Sequence, residues 1–334
     1  MIVVLVSDMN RWPMTRLLRT ARGRLPPISL VDYQTAFRRL SVPAGSLVFT
    51  DFDLLSSFEM DAAGRLATAA ARQGLRVLNH PVRVMERHEL LASLHAQGLN
   101  PVQVTRLEAG GRPTRFPLFI RQEDGCLRPD TGLIENDVAL DAALAGLRRA
   151  GKTMKRRIAV SFENLRDEEG FFRKYGAFCI GGRIVPQHIL RDRDWIVKSH
   201  RAPDSARFAE EELDWVRSNP HAAELARIFA HAGIDFGRID YAVVEGRIVT
   251  FEINVNPTFP RFRGGNPARE ARRGPILAAL AEAFAEVDTA DARGRLRFQP
   301  DPDGARYIKR KRWNRIERQM WKLRMALRDR RGDE

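Results

Sequence analysis

Between Gly237 and Pro257 the chain has few ways to fold. Ile239, Tyr241 and Val243, then Val249, Phe251 and Ile253, alternate with the residues between them, and Glu245-Gly246-Arg247 separates the two runs. That pattern predicts two antiparallel strands joined by a tight turn. A turn centred on Gly246 sets Asp240 opposite Glu252, and Asn254, two residues on, shares their face. Two carboxylates and an amide oxygen then converge on one surface. Oxygen donors of this kind suit Mg2+, which keeps several waters and takes its remaining ligands from nucleotide phosphates. Arg238, two residues before Asp240, is placed to hold a transferred phosphate, and Asn256-Pro257 stops the strand. The alternative is a solvated hairpin face on which polar residues line up because antiparallel sheets expose one side.

Around this hairpin the 334 residues suggest two or three structural units, and 44% hydrophobic content is enough for a sizeable core. Residues 1–81 alternate strand-like runs (2–6, 47–50, 75–78) with an Ala-rich helical stretch at 61–73, which predicts a small α/β unit with a parallel sheet. Residues 82–156 read as a second unit. It has a helix over about 84–97, strands near 102–107 and 118–121, and an amphipathic stretch at 136–150 closed by Gly151. Residues 157–290 form a third, with strands at both ends and helices at about 208–217 and 220–232. Residues 291–334 are a linker and a basic helix.

Several function classes drop out. Cys126 and Cys179 are far apart and belong to no Cys/His cluster, so neither a disulfide framework nor a zinc site is expected. His188, His200, His221 and His231 lack zinc-ligand spacing, Ser161 and Ser199 lack a triad context, and no GxxxxGK[ST] run is present. No apolar run approaches the roughly 20 residues of a membrane span. The opening Met1 to Val6 run reads as a buried strand, and a cytoplasmic location is expected.

Arg238-x-Asp240 and Glu252-x-Asn254-x-Asn256-Pro257 resemble the end of the nucleotide site in the ATP-grasp superfamily, which closes with an Arg-x-Asp strand and a Glu-x-Asn strand. The resemblance extends over roughly residues 75–290. Phe116 to Arg121 is similar to a strand that ends in a phosphate-contacting lysine, with Arg121 standing in that place. Ile158 to Glu163 is similar to the linker strand that meets adenine and ribose, with Glu163 as the acid. Gly170 to Pro186 is similar to the strand pair that follows, where Arg173 and Lys174 would reach phosphate, and Trp195 to Lys198 to an element with a basic end at Lys198.

The resemblance implies an α/β fold, α+β in part: a small N-terminal parallel-sheet domain and two α+β subdomains enclosing the nucleotide, with a basic C-terminal helix added. It implies ATP with two Mg2+ ions, or Mn2+, at Asp240, Glu252 and Asn254. A small-molecule or peptide carboxylate would be activated as an acyl phosphate and joined to an amine acceptor, with Arg238 stabilising the charge that develops. Arg261 and Arg263 would grip a substrate carboxylate or an acidic peptide, and residues 123–132 would form a lid. Two other readings stay open: a small-molecule kinase, and a catalytically silent nucleotide-binding module that engages membrane or RNA.

The last 30 residues, from Ala305, hold twelve Lys and Arg against four Asp and Glu, so +8 of the formal +14 sits there. Trp313, Ile316, Met320, Leu323 and Leu327 recur at spacings of three and four, a narrow apolar stripe on a basic helix. Such a helix docks on its own protein, pairs with another helix, or lies on an anionic surface. No sequence-specific nucleic-acid binding is expected.

Overall fold

The computed structural model describes residues 1–108, 110–124, 128–200, 205–259, 267–289, 292–311 and 320. The first half runs β1 (Ile2–Val6), α1 (Trp12–Thr20), β2 (Ile28–Asp32), α2 (Tyr33–Arg39), β3 (Ser41–Pro43), β4 (Ser46–Phe49), α3 (Ser57–Arg72), β5 (Val77–Leu78), α4 (Arg87–Ala96), β6 (Val104–Arg106), β7 (Leu118–Gln122) and α5 (Asp137–Arg149). The second runs β8 (Arg157–Ser161), β9 (Phe172–Ile180), β10 (Arg183–Asp192), α6 (Ala206–Ser218), α7 (Ala222–His231), β11 (Phe236–Val244), β12 (Arg247–Asn254), α8 (Pro267–Glu270), α9 (Arg273–Val287) and β13 (Arg295–Arg297). No described helix is long and apolar enough to cross a membrane.

Contacts divide the chain into two compact units. The first comprises Met1–Arg11, Pro27–Val82 and Asp288–Glu334. Its sheet has the order β2-β1-β4-β5, with parallel pairing throughout. All five residues of β1 are buried, as an unbroken aliphatic strand in the middle of a parallel sheet requires. Its core joins Val3, Leu5 and Phe49 of the strands to Phe37 of α2 and Leu66 of α3. Helix α3 is started by Ser56 and Glu59, whose carboxylate accepts from the Ser56 backbone N–H at 3.0 Å.

Later residues return to complete this unit. Strand β13 pairs antiparallel with β3, residues 302–311 are helical, Tyr307 stacks on Phe58 at 4.8 Å, and Lys311 donates to Glu59 at 2.6 Å. The expectation that set 291–334 apart therefore needs correcting for its described part, because β13 and the helix share the first unit's core and ion pairs. Of the apolar stripe only Met320 lies within the described residues. Residues 12–26, expected inside 1–81, cluster instead with the second unit.

The second unit comprises Trp12–Pro26 and Arg83–Val287. It has two antiparallel sheets, ordered β6-β8-β7 and β10-β9-β11-β12. Strand β8 is buried along its length and pairs on both edges, so the boundary expected between 156 and 157 falls inside a sheet. Helix α5 covers one face of the three-stranded sheet through Leu140 and Leu147. The other face, with Ile158 and Val160, packs on Ala242 and Val249 of the four-stranded sheet. Helices α6, α7 and α9 lie against β9 and β10. The space beside that inter-sheet core is where the polar residues gather.

Candidate nucleotide and metal site

The β11–β12 hairpin turns on Glu245 and Gly246, with φ of 50° and 74°, and Val244 pairs with Arg247. Positive φ at both central residues is the two-residue turn whose twist suits a hairpin. Continued without interruption, that turn would pair Asp240 with residue 251. Phe251 is instead taken up as a bulge between the Asp240↔Glu252 and Tyr241↔Thr250 pairs. The pairing expected from a turn centred on Gly246 is thus present at the site, by a different route: a shorter turn and one extra residue cancel. Arg238 pairs with Asn254, so all four residues share one face.

Both carboxylates are buried, Asp240 at 2% and Glu252 at 8% exposure, and each is held by cations. Arg238 Nε donates to Asp240 Oδ1 at 2.8 Å and Lys174 Nζ to Oδ2 at 2.8 Å. Arg87 Nη2 donates to Glu252 Oε2 at 2.5 Å, and Arg121 Nη2 lies 3.4 Å from the same oxygen. Burial pushes the Asp240 carboxyl up, but Arg238 and Lys174 outweigh it and hold the group well below the usual carboxylate range. Glu252 shows the same balance, burial opposed first by Arg87 and then by Arg121, and its carboxyl is also lowered. Both are ionised at neutral pH. Asn254 Oδ1 accepts from the Asn256 N–H at 2.9 Å, which shapes the strand's exit.

A pocket in the second unit opens from these carboxylates. Part of its lining is apolar and aromatic: Phe119 lies 4.9 Å and Phe162 5.7 Å from the Trp195 ring, and Val102 and Val160 line it as well. Arg87, Arg121, Arg173, Lys174 and Lys198 line it together with Glu163, Asp240 and Glu252. Five cations against three carboxylates make a cavity that favours a polyanion with a flat apolar end. Glu163 pairs with Arg115 at 2.9 Å, and Arg173 is tied to Asp167 at 2.5 Å and to Glu211 at 2.7 Å.

Each of the expected residues Arg121, Glu163, Arg173, Lys174, Lys198, Asp240 and Glu252 thus lines one pocket, and Arg238 touches it through Asp240. Arg261 and Arg263 lie outside the described residues, as do residues 125–127 of the expected lid. Sequence reasoning missed Arg87. It opens helix α4, where the helix dipole disfavours a cation, and that misfit was the available signal. Trp195 and Phe119 were likewise not anticipated as a pocket wall.

Among the described residues no three His, Cys, Asp or Glu side chains form a group that could hold a metal. The oxygen donors that this face could offer a cation are Asp240 and Glu252, which line the pocket, and the Asn254 amide oxygen on the same face, which does not; water and phosphate oxygens would complete the shell. That is the incomplete, all-oxygen donor set Mg2+ uses with nucleotides, and two ionised carboxylates facing each other in register fit it.

No family model matches the chain, and no curated protein sequence does. Solved structures do match. The ATP-grasp ligase PsnB, complexed with a minimal precursor, Mg and ADP, is 14% identical, with a TM-score of 0.51 over 86% of this chain and 96% of that one. The same ligase with precursor peptide PsnA2 and AMPPNP is 13% identical, with a TM-score of 0.50 over the same shares. D-alanine–D-alanine ligase from Bacillus anthracis is 12% identical over 86% of this chain and 96% of its own, with a TM-score of 0.48. A parallel sheet near the N-terminus, two antiparallel sheets after it and the PsnB match together give the conclusion: the chain has the ATP-grasp fold.

Proposed function

We propose that this protein is a Mg-ATP-dependent ligase that activates a carboxylate as an acyl phosphate and joins it to an amine. The observation that carries the reading is the arrangement of four cations, Lys174, Arg238, Arg87 and Arg121, around the facing carboxylates Asp240 and Glu252. Polyphosphate competes for those cations. As Lys174, Arg87 and Arg121 turn to phosphate oxygens, Asp240 and Glu252 become available as metal ligands, with Asn254 beside them.

Bound Mg2+ would withdraw charge from the β- and γ-phosphates and keep the displacement in line. The chain's own residues do the rest. Phe119, Phe162 and Trp195, which line the pocket, would give the base an apolar wall, with Glu163 toward the ribose and Lys198 toward the phosphates. Arg238 stabilises the negative charge that develops as the substrate carboxylate attacks and as the amine then displaces phosphate. The ATP-grasp ligase PsnB has been solved in complex with a precursor peptide; a peptide carboxylate is accordingly one of the substrate classes to supply here.

The test is to present candidate acids and amines with ATP and measure ADP release. A ligase releases ADP in quantity only when both acid and amine are present, whereas a kinase leaves a stable phosphorylated product with one. Glu252→Ala and Asn254→Ala should each weaken Mg-ATP binding and abolish turnover. Unchanged binding and turnover in both would remove the metal assignment.

A further inference from the structure

One row of residues crosses the four-stranded sheet: His188 on β10, Gly176 on β9, Asp240 on β11 and Glu252 on β12, each paired with the next. Paired residues share a face, so His188 belongs to the face that carries the carboxylates. A Cβ placed on Gly176 would lie 2.7 Å from both Cε1 and Nε2 of His188. The imidazole therefore lies over the glycine, in the space a side chain would fill, and reaches toward Asp240.

Two local devices produce this placement. The β9–β10 register shifts between Pro186 and His188, leaving Gln187 as an extra residue, and a bulge re-aims the side chains around it. Gln187 Oε1 accepts from Arg238 at 3.4 Å, so the bulged pair turns toward the site. The absence of a side chain at residue 176 then leaves room for the ring.

His188 is 9% exposed and its Nε2 is buried with no hydrogen-bond partner. A buried polar atom without a partner calls for a reason. The charged groups around the ring are Arg238, Asp240, Lys174 and Arg272, and Asp240 is the one acceptor among them. Its two oxygens are taken by Arg238 and Lys174, and Lys174 is one of the cations that phosphate would draw away.

We propose that His188 is a positioning residue for Asp240: once Lys174 turns to the nucleotide, His188 Nε2–H donates to the Asp240 carboxylate and fixes its orientation as a metal ligand. The inference rests on the metal reading of Asp240 and names a residue that holds the ligand rather than the ion. Groups that hydrogen-bond a metal ligand change metal affinity by about 10–100-fold.

The experiment measures Mn2+ binding by electron paramagnetic resonance in the full chain with a non-hydrolysable ATP analogue, and analogue binding without divalent cation by calorimetry. His188→Leu should weaken Mn2+ binding by about tenfold or more while metal-free analogue binding stays within about twofold. His188→Gln, which keeps an N–H donor, should recover most of the loss, and Gly176→Ala, which displaces the ring, should reproduce it. Mn2+ affinity within twofold of the wild type in His188→Leu, or in Gly176→Ala if the leucine variant does not fold, overturns the proposal. Asp240→Asn separates the two levels. If it binds Mn2+ as the wild type does, the metal reading itself has failed; if it loses Mn2+ while His188→Leu does not, only the role of His188 has.

Discussion

Arg87 and Arg121 meet at a single oxygen: Glu252 Oε2 lies 2.5 Å from the first guanidinium and 3.4 Å from the second. One cation opens helix α4 and the other sits on β7, yet both converge on β12, and all three side chains are 11–13% exposed. Two guanidinium groups thus meet one carboxylate among the residues that line the pocket.

Removing Arg87 should therefore cost both folding and nucleotide binding. Arg87→Ala leaves Glu252 with Arg121 alone, and breaking a largely buried pair costs about 3 kcal/mol or more. The melting temperature should fall and ATP affinity should drop by about tenfold, as one charge-assisted contact to phosphate is lost. Arg121→Lys should keep ATP binding within a few-fold, because charge is retained and only the fork is lost. Thermal melts and calorimetry check both; ATP affinity unchanged in Arg87→Ala would remove that residue from the site.

The buried imidazole of His188 sets a pH dependence of stability. Burial above all, and then the Arg238 guanidinium, holds it well below the ordinary histidine range. In the unfolded chain it takes a proton near pH 6.5, so below that pH the unfolded state binds more protons and stability falls, by up to ~1.4 kcal/mol per pH unit. Above about pH 6.5 the contribution is constant. Denaturant unfolding at pH 7.5 and 5.5 should show a smaller difference in His188→Gln than in the wild type; equal differences would mean the ring is not buried neutral. Asp240 and Glu252, both lowered, add their own loss only further down, below the ordinary carboxylate values near pH 4.

Glu212 on α6 is fully buried and ties three segments together. It accepts from the Ile189 N–H at 2.8 Å, from Arg269 at 2.9 and 3.0 Å, and from Arg272. Glu212→Gln keeps the shape but leaves two guanidinium groups of low exposure without their counter-charge. Urea unfolding should show a loss of about 3–5 kcal/mol. A loss under ~1 kcal/mol would mean that solvent reaches those arginines.

Cys179 on β9 should be unreactive in the folded protein. Burial pushes its thiol up to about 12, so almost no thiolate is present at neutral pH. In a Cys126→Ser background, a thiol reagent at pH 8 should label the chain only after denaturant is added. Rapid labelling of the folded chain would show that the strand opens.

How far the sequence can be read depends on the distance over which each feature is determined. The β11–β12 hairpin was legible because alternation, a glycine and a stop all lie within about twenty residues. Even there the Asp240–Glu252 pairing rests on two compensating departures, a two-residue turn and the Phe251 bulge, and alternation reports neither. Helix α9 gave no amphipathic signal: Ile276, Leu277, Leu280, Ala283 and Phe284 are buried, and apolar residues surround it on most sides. Arg87 acquires its meaning from Glu252, 165 positions away, and β3 and β13 are three-residue strands that find each other across most of the chain. Neither relationship leaves a local pattern. The overall fold was legible through resemblance, because the order of short motifs survives where overall identity to known structures is 13–14%.

The pairing of β13 with β3, and the contact of Lys311 with Glu59, also bear on the order in which the molecule is made. Residues 83–287 of the second unit leave the ribosome as a continuous block, but the first unit waits for its last strand and helix. The nascent chain thus carries β3 without its strand partner, and the Phe37–Leu66 core without Leu296 and Phe298, through most of its synthesis, and the second unit can finish folding while the first is still incomplete.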